Sequence, residues 1–127
     1  MAAPFKAYDV RGIYGEDVNE ELAYKLGRAY VAYTGAKNVV VGRDMRPSGV
    51  TLQKELVRGL REAGANVTDI GMASTDMMYF AVISLGVDGG ISVTASHNPG
   101  EYNGFKFVRE KAIPMGLESG LDKIEAL

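Results

Sequence analysis

The sequence predicts an α/β fold: a three-layer α/β/α domain with a mainly parallel, mixed sheet of four strands, the last of them antiparallel. Two observations carry this expectation. From residue 38 onward, short β-branched runs alternate with helical segments, and parallel strands need such helical crossovers, which are right-handed. The length of 127 residues fits one domain spanning residues 1–127, enough to bury a core without disulfides or metal staples.

Taken in order, Tyr8-Asp9-Val10-Arg11-Gly12 sets a single arginine among turn formers and reads as a loop. Asn19 to Thr34 spaces Leu22, Leu26, Ala29, Tyr30 and Tyr33 as a helix does, with Gly35 closing its carboxyl end. Asn38-Val39-Val40-Val41-Gly42 is the first strand. Ser48 is placed as N-cap of a helix that carries Leu52, Leu56 and Leu60 on one face and ends at Gly64. Asn66 to Gly71 forms the second strand. Ser74 or Thr75 then opens a helix running through Met77 and Phe80 to Gly86, apolar nearly all round, to be buried in this domain or under a neighbour. Gly89 to Thr94 is the third strand. Tyr102-Asn103-Gly104 signals a turn, and Phe105-Lys106-Phe107-Val108 alternates as a short antiparallel strand. An amphipathic helix is expected over Leu117 to Leu127.

Composition narrows the function. With 46% hydrophobic and 24% charged residues the chain has the profile of a globular domain, and a net charge of −2 gives no global attraction to nucleic acid. No apolar run approaches the ~20 residues of a membrane helix, and Met1 to Lys6 lacks the pattern of a signal peptide, so no membrane partner is expected and cytoplasmic residence is the default. Cysteine is absent and His97 is the only histidine, which excludes thiol chemistry and a zinc site of several imidazoles within the chain. Magnesium would need oxygen ligands. Neither Gly-x-Gly-x-x-Gly nor a P-loop occurs.

If the first three strands are parallel, their carboxyl ends lead into Arg43 to Ser48, Gly71 to Thr75 and Ala95 to Pro99, all on the edge where open α/β sheets bind ligands. Arg43, Arg46, Ser96, His97 and Lys106 would then surround one polar concavity suited to phosphate. Blander readings exist for each. Adjacent Ser96 and His97 read more readily as a turn than as a nucleophile and its base, and no Gly-x-Ser-x-Gly elbow is present. Arg43, Asp44 and Arg46 read as a solvated loop with an ion pair, and Ser48 and Ser74 as helix caps.

Four ordered motifs go further: Tyr8-Asp9-Val10-Arg11-Gly12, Gly42-Arg43-Asp44 through Ser48, Thr94-Ala95-Ser96-His97-Asn98-Pro99, and Asn103-Gly104-Phe105-Lys106. Together they resemble the amino-terminal domain of the α-D-phosphohexomutase superfamily, in its phosphomannomutase/phosphoglucomutase branch, over nearly the whole chain. The resemblance implies that Ser96 carries a phosphoryl group, gives it to a hexose phosphate, and recovers another from the hexose 1,6-bisphosphate intermediate. It implies further that Arg11 and Lys106 surround the phosphoserine, with Lys106 a candidate proton carrier, and that His97 supports the same pocket. Arg43 and Asn98 become candidate phosphate-binding residues, with Asn98 and Asp44 shaping the loops. Magnesium would be held by the Ser96 phosphate together with an Asp-Gly-Asp-x-Asp-Arg loop of a second domain, and no such loop occurs here. The remaining domains of the same enzyme are therefore implied partners, and the chain by itself is expected to be inactive as a mutase. Two other classes stay open: a non-enzymatic phosphate- or nucleotide-binding module, and an interaction subunit of a split mutase.

Overall fold

The computed structural model describes residues 10–94, 102–112 and 115. The Ser96, His97 and Asn98 loop and the expected helix over Leu117 to Leu127 lie outside these residues. Along the chain run β1 (Val10–Ile13), α1 (Glu20–Thr34), β2 (Asn38–Arg43), α2 (Gly49–Glu62), β3 (Asn66–Met72), α3 (Thr75–Leu85), β4 (Gly89–Val93) and β5 (Tyr102–Arg109), followed by a short 3₁₀ turn. The strands form one sheet in the order β1-β5-β4-β2-β3. Strand β2 is parallel to β3 and β4, whereas β5 is antiparallel to both β4 and β1.

The mixed sheet and its antiparallel β5 are as expected, but the sheet has five strands rather than four. The added strand is β1, in the segment that reads as a loop. Its four residues contain Arg11 and Gly12, which carry no β-signal, and they are extended because they pair with β5, Arg11 opposite Gly104. Gly104 permits this pairing: a Cβ there would stand 2.1 Å from the Val10 carbonyl oxygen.

Side chains alternate across the sheet, and that alternation sorts them into two cores. On one face Val39, Val41, Ile91, Val93, Phe105 and Phe107 pack against Leu26 and Tyr30 of α1 and Leu52, Leu56 and Leu60 of α2. On the other, Val40 and Val108 meet Met78 and Val82 of α3. Strand β4 is buried throughout, its Gly90 leaving room for α3, since a Cβ there would come within 2.6 Å of Met78 and Val82.

Helix ends follow local chemistry. Asn19 caps α1 by accepting from the Leu22 amide at 2.8 Å, Gly35 closes the helix in the left-handed region at φ 68°, and Ser74 accepts from the Met77 amide at 3.1 Å. Ser48 departs from expectation. It precedes α2 in a helical conformation and makes no side-chain cap, because its hydroxyl accepts from Asn103 Nδ2 at 2.8 Å instead. Helix α3 also departs from one of the two expectations for it. Met78 and Val82 are buried, but Met77, Phe80 and Ile83 remain 58%, 71% and 61% exposed, so burial within the described domain accounts for only one side of the helix.

Tyr30 ties α1 to the sheet. Its ring is fully buried and stacks on Phe107 at 5.7 Å, and its hydroxyl donates to the Val108 carbonyl at 2.7 Å. Burial raises its pKa well beyond the usual phenol range. Its contribution to stability is therefore fully present below the unfolded pKa of about 10 and is lost as pH rises above it, because only the unfolded chain then releases the proton. We expect Tyr30→Phe to cost about 1 kcal/mol at neutral pH and to flatten the decline of stability between pH ~9 and ~12. Denaturant titrations of both proteins across that range check this; parallel declines would refute it.

Candidate active site

The carboxyl ends of β2 and β4 lie side by side, Arg43 opposite Val93, and Ser96 follows the end of β4 by three residues in the chain. What the described residues show is how the chain is held on either side of it. The Thr94 amide donates to the Gly104 carbonyl at 2.8 Å, so the described residues on either side of 95–101 are tied to each other. Thr94 is buried, and its hydroxyl donates to Asp44 Oδ2 at 2.8 Å.

Asp44 organises the segments around this tie. Its backbone amide donates to the Val93 carbonyl at 3.1 Å. Its carboxylate accepts from the Arg46 amide and from Arg46 Nε, both at 3.0 Å, besides the Thr94 hydroxyl. Arg46 then donates from its guanidinium to the Tyr102 carbonyl at 3.1 Å, on the far side of the serine loop. The pair is mostly withdrawn from water, with side chains 11% and 24% exposed for Arg46 and Asp44. An ion pair is thus present as the sequence suggests, but it forms a partly buried clamp across three segments rather than a solvated turn. Asn103, buried, adds a second tie by donating to Ser48 and accepting from the Gly104 amide.

Pleating decides which cations face which way. Val10 belongs to the α1/α2 core, so Arg11 lies on the α3 face, opposite Gly104. Lys106, between the buried rings of Phe105 and Phe107, lies on that same face, opposite Ser92. Both side chains are half-buried. Arg11 and Lys106 are therefore brought together on one face beside the tie between Thr94 and Gly104. Arg43 is not: in register with Val93 and in phase with Val39 and Val41, it lies on the α2 face, where its side chain packs 3.7 Å from the position a Gly49 Cβ would take. Sequence reasoning groups Arg43 with Lys106 around the edge at which the parallel strands end, and the pleat separates them. Thr94 and Asn103 were not singled out as loop anchors, and their partners lie 50 and 55 residues away, beyond any local pattern.

Comparison with known proteins decides the lineage of this arrangement. The family profile described as phosphoglucomutase/phosphomannomutase, alpha/beta/alpha domain I, matches residues 2–127. This chain belongs to that family. It is 50% identical over 127 residues to a phosphomannomutase of Escherichia coli, covering 100% of this chain and 28% of that protein. A phosphomannomutase of Klebsiella pneumoniae is 52% identical over 123 residues, covering 97% of this chain and 78% of that sequence. Among solved structures, a phosphoglucomutase/phosphomannomutase family protein from Burkholderia thailandensis superposes with a TM-score of 0.87 at 40% identity, over 99% of this chain and 30% of that one. The chain thus spans between a quarter and a third of the length of the E. coli and Burkholderia relatives.

Among the described residues no group of three or more imidazole or carboxylate side chains is placed to hold a metal ion. The carboxylate nearest the serine loop in the chain of contacts, Asp44, already accepts three hydrogen bonds. No described helix is long and apolar enough to cross a membrane.

Proposed function

We propose that this chain is the phosphoryl-carrying domain of a hexose-phosphate mutase, interconverting hexose 1-phosphate and hexose 6-phosphate of the mannose or glucose type through a hexose 1,6-bisphosphate. The observation that carries this reading is the shared face of Arg11 and Lys106 beside the hydrogen bond from Thr94 to Gly104 that ties the two sides of residues 95–101 together. Phosphoryl transfer demands in-line positioning and neutralised oxygen charge more than covalent machinery, and a loop clamped at both feet with two cations beside it suits that demand.

In the forward step a sugar hydroxyl attacks the phosphorus on Ser96. The bond from phosphorus to the sugar oxygen forms, the bond to Ser96 Oγ breaks, and the sugar hydroxyl proton is relayed through the Lys106 amine to the departing Ser96 Oγ. Arg11 balances charge on the equatorial oxygens. After the bisphosphate turns round, Ser96 Oγ attacks the other phosphate and the serine is phosphorylated again. His97 and Asn98 complete the pocket in this reading, and Arg43, on the α2 face of the sheet, takes no part in it. Magnesium fits this chain only in part: a Ser96 phosphate would offer one oxygen ligand, the described residues offer no cage, and its other ligands belong to a further domain. A cytoplasmic sugar phosphate is the corresponding substrate pool.

The test begins with the reading frame beyond Leu127, which should continue into an Asp-Gly-Asp-x-Asp-Arg segment. The protein made from that whole frame, exposed to glucose 1,6-bisphosphate and magnesium, should carry one phosphoryl group that maps to Ser96 and is absent from the Ser96→Ala variant. Lys106→Ala should keep the modified serine but slow its discharge to hexose phosphate by ~10²-fold or more. A serine that stays unmodified while the protein still binds sugar phosphate would replace this reading with that of a binding module.

A further inference from the structure

On the α2 face of the sheet, opposite the face that bears Arg11 and Lys106, an open groove of about 600 Å³ runs between α2 and the edge strand β3. Its wall is a stripe along one side of α2: Val50, Lys54, Val57 and Arg61, spaced at intervals of four, three and four residues, while Leu52, Leu56 and Leu60 point into the core. Gly71 lies across from it and Arg43 at one end. No atom lies within 4 Å of the position a Gly71 Cβ would take, so the β3 side of the groove is open to a ligand.

The charges in this groove do not cancel. Arg58 is occupied by Glu55 and Glu62, at 2.7 and 3.2 Å. Asp69 accepts from Gln53 Nε2 and the Gly71 amide, at 2.8 and 2.7 Å, and keeps its charge, so the lining sets Arg43, Lys54, Arg58 and Arg61 against Glu62 and Asp69 and stays positive. That leaves Arg43, Lys54 and Arg61 lining the groove with no carboxylate within ion-pair distance among the described residues. Three cations lining one concavity without an ion-pair partner, in a chain whose net charge is −2, make a local positive field that favours an anion there. Two arginine forks and one lysine suit phosphate oxygens, and Val50 and Val57 supply apolar wall between the charges. The volume falls in the range of small-molecule sites, roughly 300–1,000 Å³.

We propose that this groove binds an organic phosphate, its phosphate held by Arg43, Lys54 and Arg61 and its apolar body laid against Val50 and Val57. Phenyl phosphate is the probe, with phenol and inorganic phosphate as its two halves, titrated into the isotope-labelled chain and followed by amide NMR shifts. Saturable shifts at Val50, Lys54, Val57 and Gly71 are expected, with either half binding about tenfold or more weakly than phenyl phosphate. The Lys54→Ala/Arg61→Ala double variant should lose about tenfold or more in affinity, and because both side chains are exposed, its amide spectrum elsewhere should stay that of the parent. Shifts confined to Arg11, Lys106 and their neighbours would overturn the groove while supporting the phosphoryl site. Absence of saturable shifts at millimolar probe, equal binding of inorganic phosphate, or undiminished affinity in the double variant would each overturn it as well.

Discussion

Gly59→Ala should lower the stability of the domain by about 3 kcal/mol, although alanine is the better helix former by about 1 kcal/mol. The cause is the crossing of α1 over α2. A Cβ on Gly59 would stand 2.2 Å from the Tyr24 carbonyl oxygen, and one on Gly27 would stand 2.5 Å from that of Leu56. Both obstacles are backbone, so no rotamer relieves them and the helices must separate. Separation would loosen Leu26, Leu56 and Leu60, which fill the layer beneath. In a thermal melt the loss corresponds to a fall in Tm of about 10 °C. Gly35→Ala is the control. Nothing lies within 4 Å of its Cβ position and only its left-handed φ of 68° opposes the substitution, so it should cost about 1 kcal/mol. Equal losses for the two variants would remove the close crossing of α1 and α2 as the reason for glycine at 59.

The same distinction between local and distant causes explains which features were legible in the sequence. The valines of β2, the leucines of α2 and the caps at Asn19, Gly35 and Ser74 announce themselves within a few residues, and each element forms where its pattern lies. Strand β1 does not, because Arg11 and Gly12 interrupt the β-branched Val10 and Ile13 and leave no run or alternation; its extension is completed by pairing with β5, about ninety residues later. Ser48 shows the same override. Its position at the start of α2 is local, but its hydroxyl is claimed by Asn103. For the site, the edge at the ends of β2 and β4 was legible, and so was the role of Asp44 in shaping loops. The opposite facings of Arg43 and Lys106 needed the pleat, and the exposed side of α3 needed the packing. Phe80 and Ile83 look like core residues by composition, and only the placement of Met78 and Val82 against the sheet shows which side of the helix is spent.

Asp44→Ala should produce the second large effect, one that falls on stability and phosphoryl transfer together. Removing the carboxylate deletes acceptors for the Arg46 amide, Arg46 Nε and the Thr94 hydroxyl, and takes the counter-charge at 3.0 Å from a guanidinium whose side chain is only 11% exposed. Breaking one side of a partly buried pair of this kind costs about 2–3 kcal/mol, less than for a fully buried pair because water still reaches the carboxylate. The amides of Thr94 and Gly104 should lose hydrogen-exchange protection, since the clamp that spans them is gone, whereas those of Leu56 and Leu60 should change only with the global stability. Asp44→Asn retains an acceptor for the Thr94 hydroxyl and loses the charge, so it should restore much of the protection at Thr94 without fully restoring Tm. In the protein made from the whole reading frame, the alanine variant should transfer phosphoryl groups ~10²-fold more slowly with KM little changed, as befits a residue that positions the serine loop without touching substrate. A rise in KM with kcat preserved would make Asp44 a substrate contact, and unchanged protection at Thr94 would remove the clamp from the account of the site altogether.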